Sequence, residues 1–463
     1  MSLGSRVGVV LCALALAMGV IAPAVGATTT TLTLSAPPAY ADRPTTLSVA
    51  VADETGAPVV GASVSLERSV GGAWQPVATV TTDATGLASA SLVVSRVPAD
   101  NVVRATYAGD ETHPPATGEG TLPIQRLGGQ VYLDGPGSVV DERSLTLRVR
   151  WRATDGRPVV GDVTVYRSVR GSDWQPFAVV RTGKDGRGTL RVTPRSDTAY
   201  HARTPQLPWV DAARSAAHRV DNRPPGRVVR LPEGAPTPRI KLPAQPRAVG
   251  RGANVAVRPI SDQVWKEMVG VSWHSGCPVG RGGLRIVRVN YWDYHGYRRR
   301  GEIVASTSAA SAMGAALVEM YRRELPIRAM YRVDRFGWSG RSRGGDDYAS
   351  MASGNTSAFN CRDVTGRPGR RSPHSWGGSL DLNTWENPYR SARGIVPNTW
   401  WQPRSHPLVA WRSRSHAVVK VMARHGLRWT YGNGDTQHFD YVGGGGGKRL
   451  AAAGPEACTQ YCD

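Results

Sequence analysis

Residues 46–51, Thr-Leu-Ser-Val-Ala-Val, alternate apolar and polar side chains, and residues 144–149, Ser-Leu-Thr-Leu-Arg-Val, do the same. A period of two places every second side chain on one face of a β-strand. Clusters of Gly, Asp and Pro interrupt the neighbouring sequence at short intervals and are typical of turns between strands. These stretches therefore predict antiparallel sheets with one buried face.

The sequence around both stretches forms an internal repeat. Gly-Ala-Pro-Val-Val-Gly at 56–61 is matched by Gly-Arg-Pro-Val-Val-Gly at 156–161. Units of about 100 residues with this strand pattern resemble bacterial immunoglobulin-like β-sandwiches. We predict two such all-β domains, over residues 28–125 and 128–221. The fold alone leaves open whether they are spacers or wall-binding modules.

The N-terminus is typical of a secretory signal, since a basic start to Arg6 precedes an apolar run and a stretch of small residues to Ala27. The apolar run is shorter than the ~20 residues that a membrane-spanning helix needs. We therefore predict a signal peptide at residues 1–27. The mature protein is expected to be secreted, extracellular or associated with the cell wall, with no membrane anchor after cleavage.

Removal of the signal leaves Cys277, Cys361, Cys458 and Cys462. An even number of cysteines in an exported protein favours disulfides. Three pairings are possible, and we favour Cys277 with Cys361 and Cys458 with Cys462, because the second two are close in sequence. A zinc site built from cysteines is the alternative, but the chain has no Cys-x-x-Cys pair.

The formal net charge is +21, and arginine contributes most of the positive charge. Such a charge attracts polyanions. The sequence has no helix-turn-helix, zinc-finger or aromatic RNA-binding pattern, so we expect no nucleic acid as partner. For an exported protein we expect the anionic polymers and carboxylates of a bacterial wall as partners. The alternative is that the arginines are spread over solvated faces.

Residues 222–256 are rich in Pro and Arg, a composition that predicts an extended linker stiffened by polyproline segments. Beyond the linker, residues 257–463 mix helix and strand signals. Residues 308–324 carry apolar side chains at helical spacing after Ser308, which can cap the helix. A second helix is predicted from Ser415 to His425.

Two strands are predicted beside these helices, over Leu284–Tyr291 and Leu427–Tyr431. Together these elements predict an α+β domain, with helices on one side of an antiparallel sheet. The whole chain is thus predicted to be a multidomain protein, with two all-β sandwiches followed by this α+β domain.

Two segments of the last domain carry the side chains of a catalytic zinc site. Residues 372–383, Ser-Pro-His-Ser-Trp-Gly-Gly-Ser-Leu-Asp-Leu-Asn, hold His374 and Asp381 on either side of a Gly-rich bend. Residues 434–440, Gly-Asp-Thr-Gln-His-Phe-Asp, hold His438. Catalytic zinc takes three protein ligands of these types and keeps a fourth position for water.

The pattern Ser-x-His-x-x-Gly-x-Ser-x-Asp, followed by Asp-x-x-His, resembles the VanY-type D-alanyl-D-alanine carboxypeptidase family of zinc peptidases. The similarity runs from about Met268 to Tyr441 and does not include the repeats or the linker. It implies that His374, Asp381 and His438 bind Zn²⁺ as the cofactor of the domain.

The resemblance also implies roles for other residues. Asp435, where many relatives have Glu, becomes the general base. Arg362 matches the cationic residue that faces the scissile carbonyl, and Ser372 matches a residue near the substrate terminus. A structural ion pair is the alternative role for Arg362. Asp440 is expected to orient a neighbouring ligand.

These features predict a secreted zinc-dependent peptidase that hydrolyses peptidoglycan stem peptides, as a D-Ala-D-Ala carboxypeptidase or an endopeptidase. Two alternatives remain. One is a non-catalytic cell-wall-binding protein in which the repeats are functional, and the other is a zinc hydrolase of the same fold that acts on another peptide. The sequence leaves open which peptidoglycan bond is cut and the oligomeric state.

Overall fold

The computed structural model describes residues 29–364, 367–391 and 394–443 of the chain. The predicted signal peptide and the predicted pair Cys458 and Cys462 lie outside these residues. Within the described residues, no helix is long and apolar enough to cross a membrane.

Two compact units divide the chain. The first contains the described residues up to Pro136, together with Thr146–Val192 and Thr198–Arg219. The second contains Gly137–Leu145, Thr193–Asp197 and the described residues from Val220 onwards. This division does not test the domain boundaries predicted from the repeat, which stay predictions.

The first predicted repeat consists of short strands. They form a three-stranded sheet of order β1-β3-β6, a four-stranded sheet of order β5-β4-β7-β8 and a parallel pair of β2 with β9. Alternate residues of β3, such as Leu47 and Val49, are buried between the sheets. The strands are β1 Thr31–Ser35, β2 Ala39–Tyr40, β3 Pro44–Ala52, β4 Ser63–Val70, β5 Ala73–Thr81, β6 Leu87–Val93, β7 Val102–Tyr107, β8 Ala116–Thr121 and β9 Ile124–Gln125.

The second predicted repeat contains a matching set of strands. One sheet has the order β10-β12-β15, β13 pairs antiparallel with β14 and β16, and β11 pairs parallel with β17. The strands are β10 Gly129–Asp134, β11 Ser138–Val140, β12 Leu145–Ala153, β13 Asp162–Val169, β14 Gln175–Arg181, β15 Arg187–Val192, β16 Thr198–Arg203 and β17 His218–Arg223.

The last domain combines four α-helices with small sheets. Its elements are β18 Ala256–Pro259, α1 Asp262–Met268, β19 Leu284–Trp292, β20 Arg298–Ser306, α2 Ala310–Arg322, β21 Trp338–Ser339, β22 Gly344–Gly345, α3 Asp347–Ala352, β23 Asp363–Val364, β24 Arg367–Arg371, β25 Ser379–Asp381, β26 Tyr389–Ser391, β27 Gly394–Val396, α4 Ala417–Arg424, β28 Leu427–Arg428 and β29 His438–Tyr441. Five short 3-10 helices complete the described chain, at Pro98–Asn101, Arg281–Gly283, Val333–Phe336, Pro373–Trp376 and Gly432–Gly434.

One hydrophobic core joins α2 and α4 to the sheets β18-β19-β20 and β25-β29-β28. Met313 of α2, Val289 of β19 and Phe439 of β29 are all fully buried in it. Burial of such side chains contributes about 1.5–3 kcal/mol each. The candidate site is built on strands whose opposite face lies in this core.

The predicted elements differ from the observed ones mainly at their ends. The helix predicted at residues 308–324 is α2. It begins after Ala309, which offers no side-chain cap, so the predicted Ser308 cap is wrong. Instead, the hydroxyl of Ser306, which precedes Ser308 by two residues, accepts a hydrogen bond from the Ala309 amide. In α4 the cap is the ring of His416, which accepts from the Val418 amide. The last predicted strand ends at Arg428.

The Pro-rich segment 224–255 contains no helix or regular strand. Its residues hydrogen-bond to the last domain along their length. The amide of Val229 donates to the carbonyl of Tyr294 at 2.9 Å, and the indole of Trp385 donates to the carbonyl of Pro236 at 2.7 Å. Backbone groups of this irregular segment thus form hydrogen bonds with the last domain.

A disulfide joins Cys277 to Cys361, as predicted, with 5.9 Å between their Cα atoms. It closes a loop with a sequence separation of 84 residues. Because these two cysteines are bonded to each other, neither can be a thiolate ligand of zinc.

Candidate metal centre

Strand pairing brings Asp381 and His438 together. Asp381 of β25 lies directly opposite His438 of β29 in the antiparallel register. Directly opposite residues present their side chains on the same face of a sheet. The next pair in the register, Leu380 with Phe439, points the other way and is fully buried in the core. The alternation of strand residues therefore separates the candidate metal ligands from the core.

His374 comes from a single turn of 3-10 helix, Pro373–Trp376. The hydroxyl of Ser372 accepts a hydrogen bond from the His374 amide at the start of this turn. Gly377 ends it in the left-handed conformation, with φ of 69°. A Cβ at position 377 would lie 2.6 Å from the Ser306 amide nitrogen, so only glycine fits there. The turn is thereby held against β20.

The three side chains converge on one point. His374 Nε2 lies 3.1 Å from His438 Nδ1 and 3.1 Å from Asp381 Oδ2. His438 Nδ1 lies 3.1 Å from Asp381 Oδ1. Each of the three side chains is only 4% exposed. The three residues also form a group whose ligand atoms all lie within 4.8 Å of one another.

The remaining ring nitrogens fix the orientation of both imidazoles. His374 Nδ1 donates to the carbonyl of Ala358 at 2.6 Å, and His438 Nε2 donates to Asp440 Oδ1 at 2.8 Å. A neutral imidazole that donates from one nitrogen has a free lone pair on the other. In the neutral form of the two imidazoles, both lone pairs face Asp381, as metal ligands require.

The separations agree with those of a small tetrahedral ion. Ligand atoms about 2.1 Å from such an ion are about 3.4 Å apart. The observed separations of 3.1 Å are slightly shorter. A set of two imidazoles and one carboxylate, with no thiolate, is also a usual donor set for catalytic zinc. The residues present thus fit this ion.

Electrostatics favours a cation at this point. Burial opposes the charge of Asp381, but the adjacent His374 and His438 hold the pKa of this carboxyl far below its ordinary value. Burial also opposes the charge of His438, yet hydrogen bonds to Asp381 and Asp440 raise its pKa well above the ordinary value. Asp440 stays ionised, since the bond from His438 outweighs burial and lowers its pKa.

Asp435 lies at the edge of this centre. It precedes His438 by three residues, and its backbone bridges to Tyr389. Its Oδ1 atom is buried and has no hydrogen-bond partner. Burial and the negative charge of Asp381 raise its pKa to about 8, against the opposing charges of His438 and Arg362. A carboxyl group with this pKa can both accept and release a proton near neutral pH.

Arg362 is held by an acidic residue that the sequence analysis missed. Its Nη2 lies 2.8 Å from Asp347 Oδ2, and the two side chains are 7% and 5% exposed. Burial raises the pKa of Asp347, and the charge of Arg362 opposes this shift. The Nε atom of Arg362 is buried without a partner. Arg362 is thus ion-paired, which was the alternative role, and still has a donor to spare.

Asp347 had no signal in the sequence that could identify it. It follows Asp346, which caps α3 by accepting from the Ala349 amide. Two adjacent acids before an apolar run indicate a helix start. Nothing in that pattern distinguishes the half-buried cap Asp346 from Asp347, the buried partner of an arginine. Ser372 is likewise buried, and its observed contact is with the turn that carries His374.

Comparison with known proteins identifies one family in this region. Residues 365–441 match the family model described as D-alanyl-D-alanine carboxypeptidase. The match contains His374, Asp381, Asp435 and His438 and begins after Arg362. No curated protein matches the chain significantly.

Solved structures resemble the chain only distantly. A tetra-tandem repeat from the extending region of a large adhesion protein is 13% identical and covers 61% of this chain and 64% of its own, with a TM-score of 0.30. A Salmonella alpha-2-macroglobulin mutant is 14% identical and covers 57% of this chain and 18% of its own, with a TM-score of 0.19. The chain thus spans less than two thirds of either structure, and neither likeness assigns a fold. The family match, by contrast, supports a peptidase domain in the C-terminal part of the chain.

Proposed function

We propose that this chain is a secreted, zinc-dependent peptidase that hydrolyses peptide bonds in peptidoglycan stem peptides. The observation that carries the proposal is the convergence of His374, Asp381 and His438 beside a buried acid, Asp435. Zinc bound by these three ligands supplies a Lewis acid and an activated water. The family match over residues 365–441 supports the peptidase class.

Asp435 is suited to move the proton. Its buried Oδ1 has no hydrogen-bond partner and is therefore free to accept a proton from the attacking water. It can then pass the proton to the nitrogen of the leaving amine. General acid–base catalysis of this kind contributes about 10²- to 10⁴-fold to the rate.

Arg362 is suited to stabilise the developing oxyanion. It is a buried cation whose Nε has no partner, and Asp347 fixes its guanidinium through Nη2. Loss of one fixed donor to an oxyanion costs about 3 kcal/mol. Ser372 is proposed to approach the substrate terminus, although its hydroxyl already accepts from the His374 amide.

Peptidoglycan is the proposed substrate for three reasons. The matched family is described by its action on D-alanyl-D-alanine. The net charge of +21 favours anionic wall components as partners. The disulfide between Cys277 and Cys361 favours an oxidising compartment, and hence export.

The test is hydrolysis of purified peptidoglycan by zinc-loaded protein, with released fragments identified by mass spectrometry. His374→Ala should lose both zinc and activity, whereas Asp435→Asn should keep zinc and lose about 10²- to 10⁴-fold in turnover. His295→Ala, an exposed histidine outside the centre, is the matched control. Full activity in either site variant would refute the assignment.

The two repeats are proposed to be immunoglobulin-like modules that bind the wall or act as spacers. A chain without residues 28–125 should sediment less with purified cell walls if the first repeat binds them. Hydrolysis of a soluble peptide should be unchanged. Equal sedimentation would leave the repeat as a spacer. Wild-type protein that binds walls but releases no new amino groups would support the non-catalytic alternative.

A further inference from the structure

Three loops of the last domain meet beside the disulfide. The amide of Asp363 in β23 donates to the carbonyl of Ser342, in the turn between β21 and β22, at 2.7 Å. The Nε2 atom of His274 lies 3.1 Å from the carbonyl oxygens of both Arg343 and Cys361. The loop that contains His274, the β21–β22 turn and the β23–β24 hairpin therefore form one surface.

Further hydrogen bonds fix the hairpin to this surface. Half-buried Arg371 of β24 donates to the carbonyl of Gly276 at 3.1 Å and to the sulfur of Cys361 at 3.1 Å. Asp363, which pairs with Arg371 in the sheet register, accepts from the Gly369 amide at 2.9 Å. The surface is thus a formed part of the second compact unit.

Four arginines of this surface are exposed. Two lie in the β21–β22 turn and two in β24, and we call them the arginine patch: Arg341, Arg343, Arg367 and Arg370. Within the described parts of the chain, none of their guanidinium groups donates a hydrogen bond or forms an ion pair. Residues 273–280, 338–345 and 367–371 contain no acid. The four charges therefore remain available to a partner.

Two acids lie beside the patch without reversing its charge. Asp346 is half-buried and caps α3 by accepting from the Ala349 amide at 3.0 Å, and Asp363 is buried. If Arg371 is counted with the patch, five positive charges stand against these two carboxylates. Such a surface attracts a polyanion, because binding releases the counterions that the polymer had collected.

Arg343 occupies a backbone position that favours glycine. Its φ is 54°, in the left-handed region that costs a side chain with a Cβ about 1 kcal/mol or more. Residues 340, 344 and 345 in the same turn are glycine. An arginine at such a position is expected to contribute through its guanidinium, which offsets the backbone cost when a ligand is bound.

An exposed aromatic side chain adjoins these charges. Trp338 of β21 is 48% exposed, and its ring centre lies 5.5 Å from that of His274. An indole offers apolar surface and one hydrogen-bond donor to an amphipathic ligand. Cations beside such a face suit a polymer in which phosphates alternate with polyol or sugar units.

We propose that the arginine patch binds a phosphate-bearing polymer of the bacterial wall. One guanidinium can donate to two phosphate oxygens at once, and a phosphodiester keeps its charge throughout the physiological pH range. The disulfide between Cys277 and Cys361 favours an oxidising compartment outside the cytoplasm, where wall polymers are the abundant polyanions. The proposal rests on the proposed secretion and deepens it, because it names the surface that retains the protein on the wall.

The test is equilibrium binding of the full, zinc-loaded chain to fluorescently labelled poly(glycerol phosphate) at several salt concentrations. The double variant Arg341→Gln and Arg370→Gln removes one charge from the turn and one from the hairpin. It should bind about tenfold more weakly than the wild-type chain at about 0.1 M salt. The slope of log Kd against log salt should fall by about 1–2, because two phosphate contacts are lost.

Two further double variants complete the design. The matched control is Arg227→Gln with Arg322→Gln, which removes the same charge from two exposed arginines outside the patch and should leave Kd nearly unchanged. Arg341→Lys with Arg370→Lys keeps the charge and should lose less affinity than the glutamine variant, because lysine lacks only the forked donors. Hydrolysis of a soluble stem peptide should be the same in all three variants.

Equal weakening by the patch variant and by the control would show diffuse attraction to the whole surface and would overturn the proposal. Tighter binding of polygalacturonate or of a single-stranded oligonucleotide, at matched charge, would overturn it too. Patch-dependent binding without hydrolysis by the wild-type chain would refute the proposed peptidase activity and keep the patch assignment. Hydrolysis without a selective effect of the patch variant on binding would do the reverse.

Discussion

The buried ion pair between Asp347 and Arg362 contributes little to the free energy of unfolding, which suggests that it has another role. Two charges taken out of water lose hydration worth several kcal/mol each, and their attraction only about balances this loss. What the pair does provide is a fixed direction for the guanidinium, because Nη2 is bound to Asp347 at 2.8 Å while Nε remains free. We therefore treat Asp347 as a positioning residue.

If the proposed function holds, we predict that Asp347→Asn lowers kcat/KM about 10- to 100-fold and leaves the zinc content unchanged, since the proposed zinc ligands are other side chains. Steady-state kinetics with metal analysis and circular dichroism checks this. Asp346→Asn is the matched control, because it removes the neighbouring charge and keeps the cap on the Ala349 amide. Unchanged kcat/KM in Asp347→Asn would contradict the positioning role.

The resemblance to a zinc peptidase family, carried by two short motifs, selected His374, Asp381 and His438, which the fold brings together. Their catalytic roles, and those of Asp435, Arg362 and Ser372, remain predictions. Asp347 could not be selected in this way, because its importance comes from a contact across 15 positions that no local pattern encodes.

At the scale of elements, one carboxylate ties the two long helices together. Glu319 of α2 accepts from Arg424 Nη2 at 2.6 Å and from His425 Nε2 at 2.8 Å, both at the end of α4. Burial opposes its ionisation, but these bonds and one from Arg323 outweigh burial and lower the pKa of Glu319 to about 2. A folded-state pKa below the unfolded value stabilises the fold above the unfolded pKa.

We predict that stability falls as the pH drops from about 4.5, the ordinary value, towards about 2, because Glu319 then binds a proton that its folded environment disfavours. Glu319→Gln should lose about 1–2 kcal/mol at pH 6 and show a smaller loss at acid pH. Calorimetry at several pH values measures both. Glu324→Gln, an exposed acid two positions beyond α2, is the control. The same pH dependence in Glu319→Gln would contradict the account.

A second prediction concerns the covalent link beside Arg362. Replacing Cys277 and Cys361 by serine should destabilise the last domain by about 2–5 kcal/mol, because a cross-link over this span restricts the unfolded chain. The melting temperature of this variant should be lower than that of the wild-type protein. A reducing agent should lower the melting temperature of the wild-type protein by a similar amount. If the reducing agent does not change the melting temperature of the wild-type protein, the disulfide between Cys277 and Cys361 does not stabilise the fold.

The sequence predicted the elements with a clear period and missed those without one. The strand from Leu284 alternates and was found, whereas β20 begins with three arginines and was not. Arginines can lie in this strand because their guanidinium groups form ion pairs or hydrogen bonds. Arg298, for example, forms an ion pair with Glu142 at 2.5 Å. Such partners come from distant parts of the chain, which periodicity cannot reveal.

At the scale of the whole molecule, the Pro-rich segment is fixed by a buried acid. The side chain of Asp141 is fully buried. Its carboxylate forms ion pairs with Arg195 Nε at 2.9 Å and with Arg247 Nη1 at 3.2 Å. Asn222 Nδ2 donates to it as well, at 3.1 Å. All four residues lie in the second compact unit. Composition alone predicted an extended linker here, because composition does not report tertiary partners.

We predict that Asp141→Asn destabilises the second unit by about 3 kcal/mol, since two arginines then lose a buried counter-charge. Urea unfolding followed by tryptophan fluorescence measures the change. Asp134→Asn is the control, because Asp134 is 65% exposed and its arginine lies 3.8 Å away, a pair that should contribute less than about 0.5 kcal/mol. Similar midpoints for both variants would refute the role of Asp141.

The register that pairs Asp381 with His438 fixes which residues of β25 and β29 share a face of the sheet. Loops between β25 and β29 can lengthen or shorten, provided that α4, β28 and Asp435 keep their places. One residue added within either strand would turn the candidate ligand to the far side of the sheet and place Leu380 or Phe439 at the candidate metal centre. Variation in loop length is therefore compatible with activity, whereas a single step in strand phase is not.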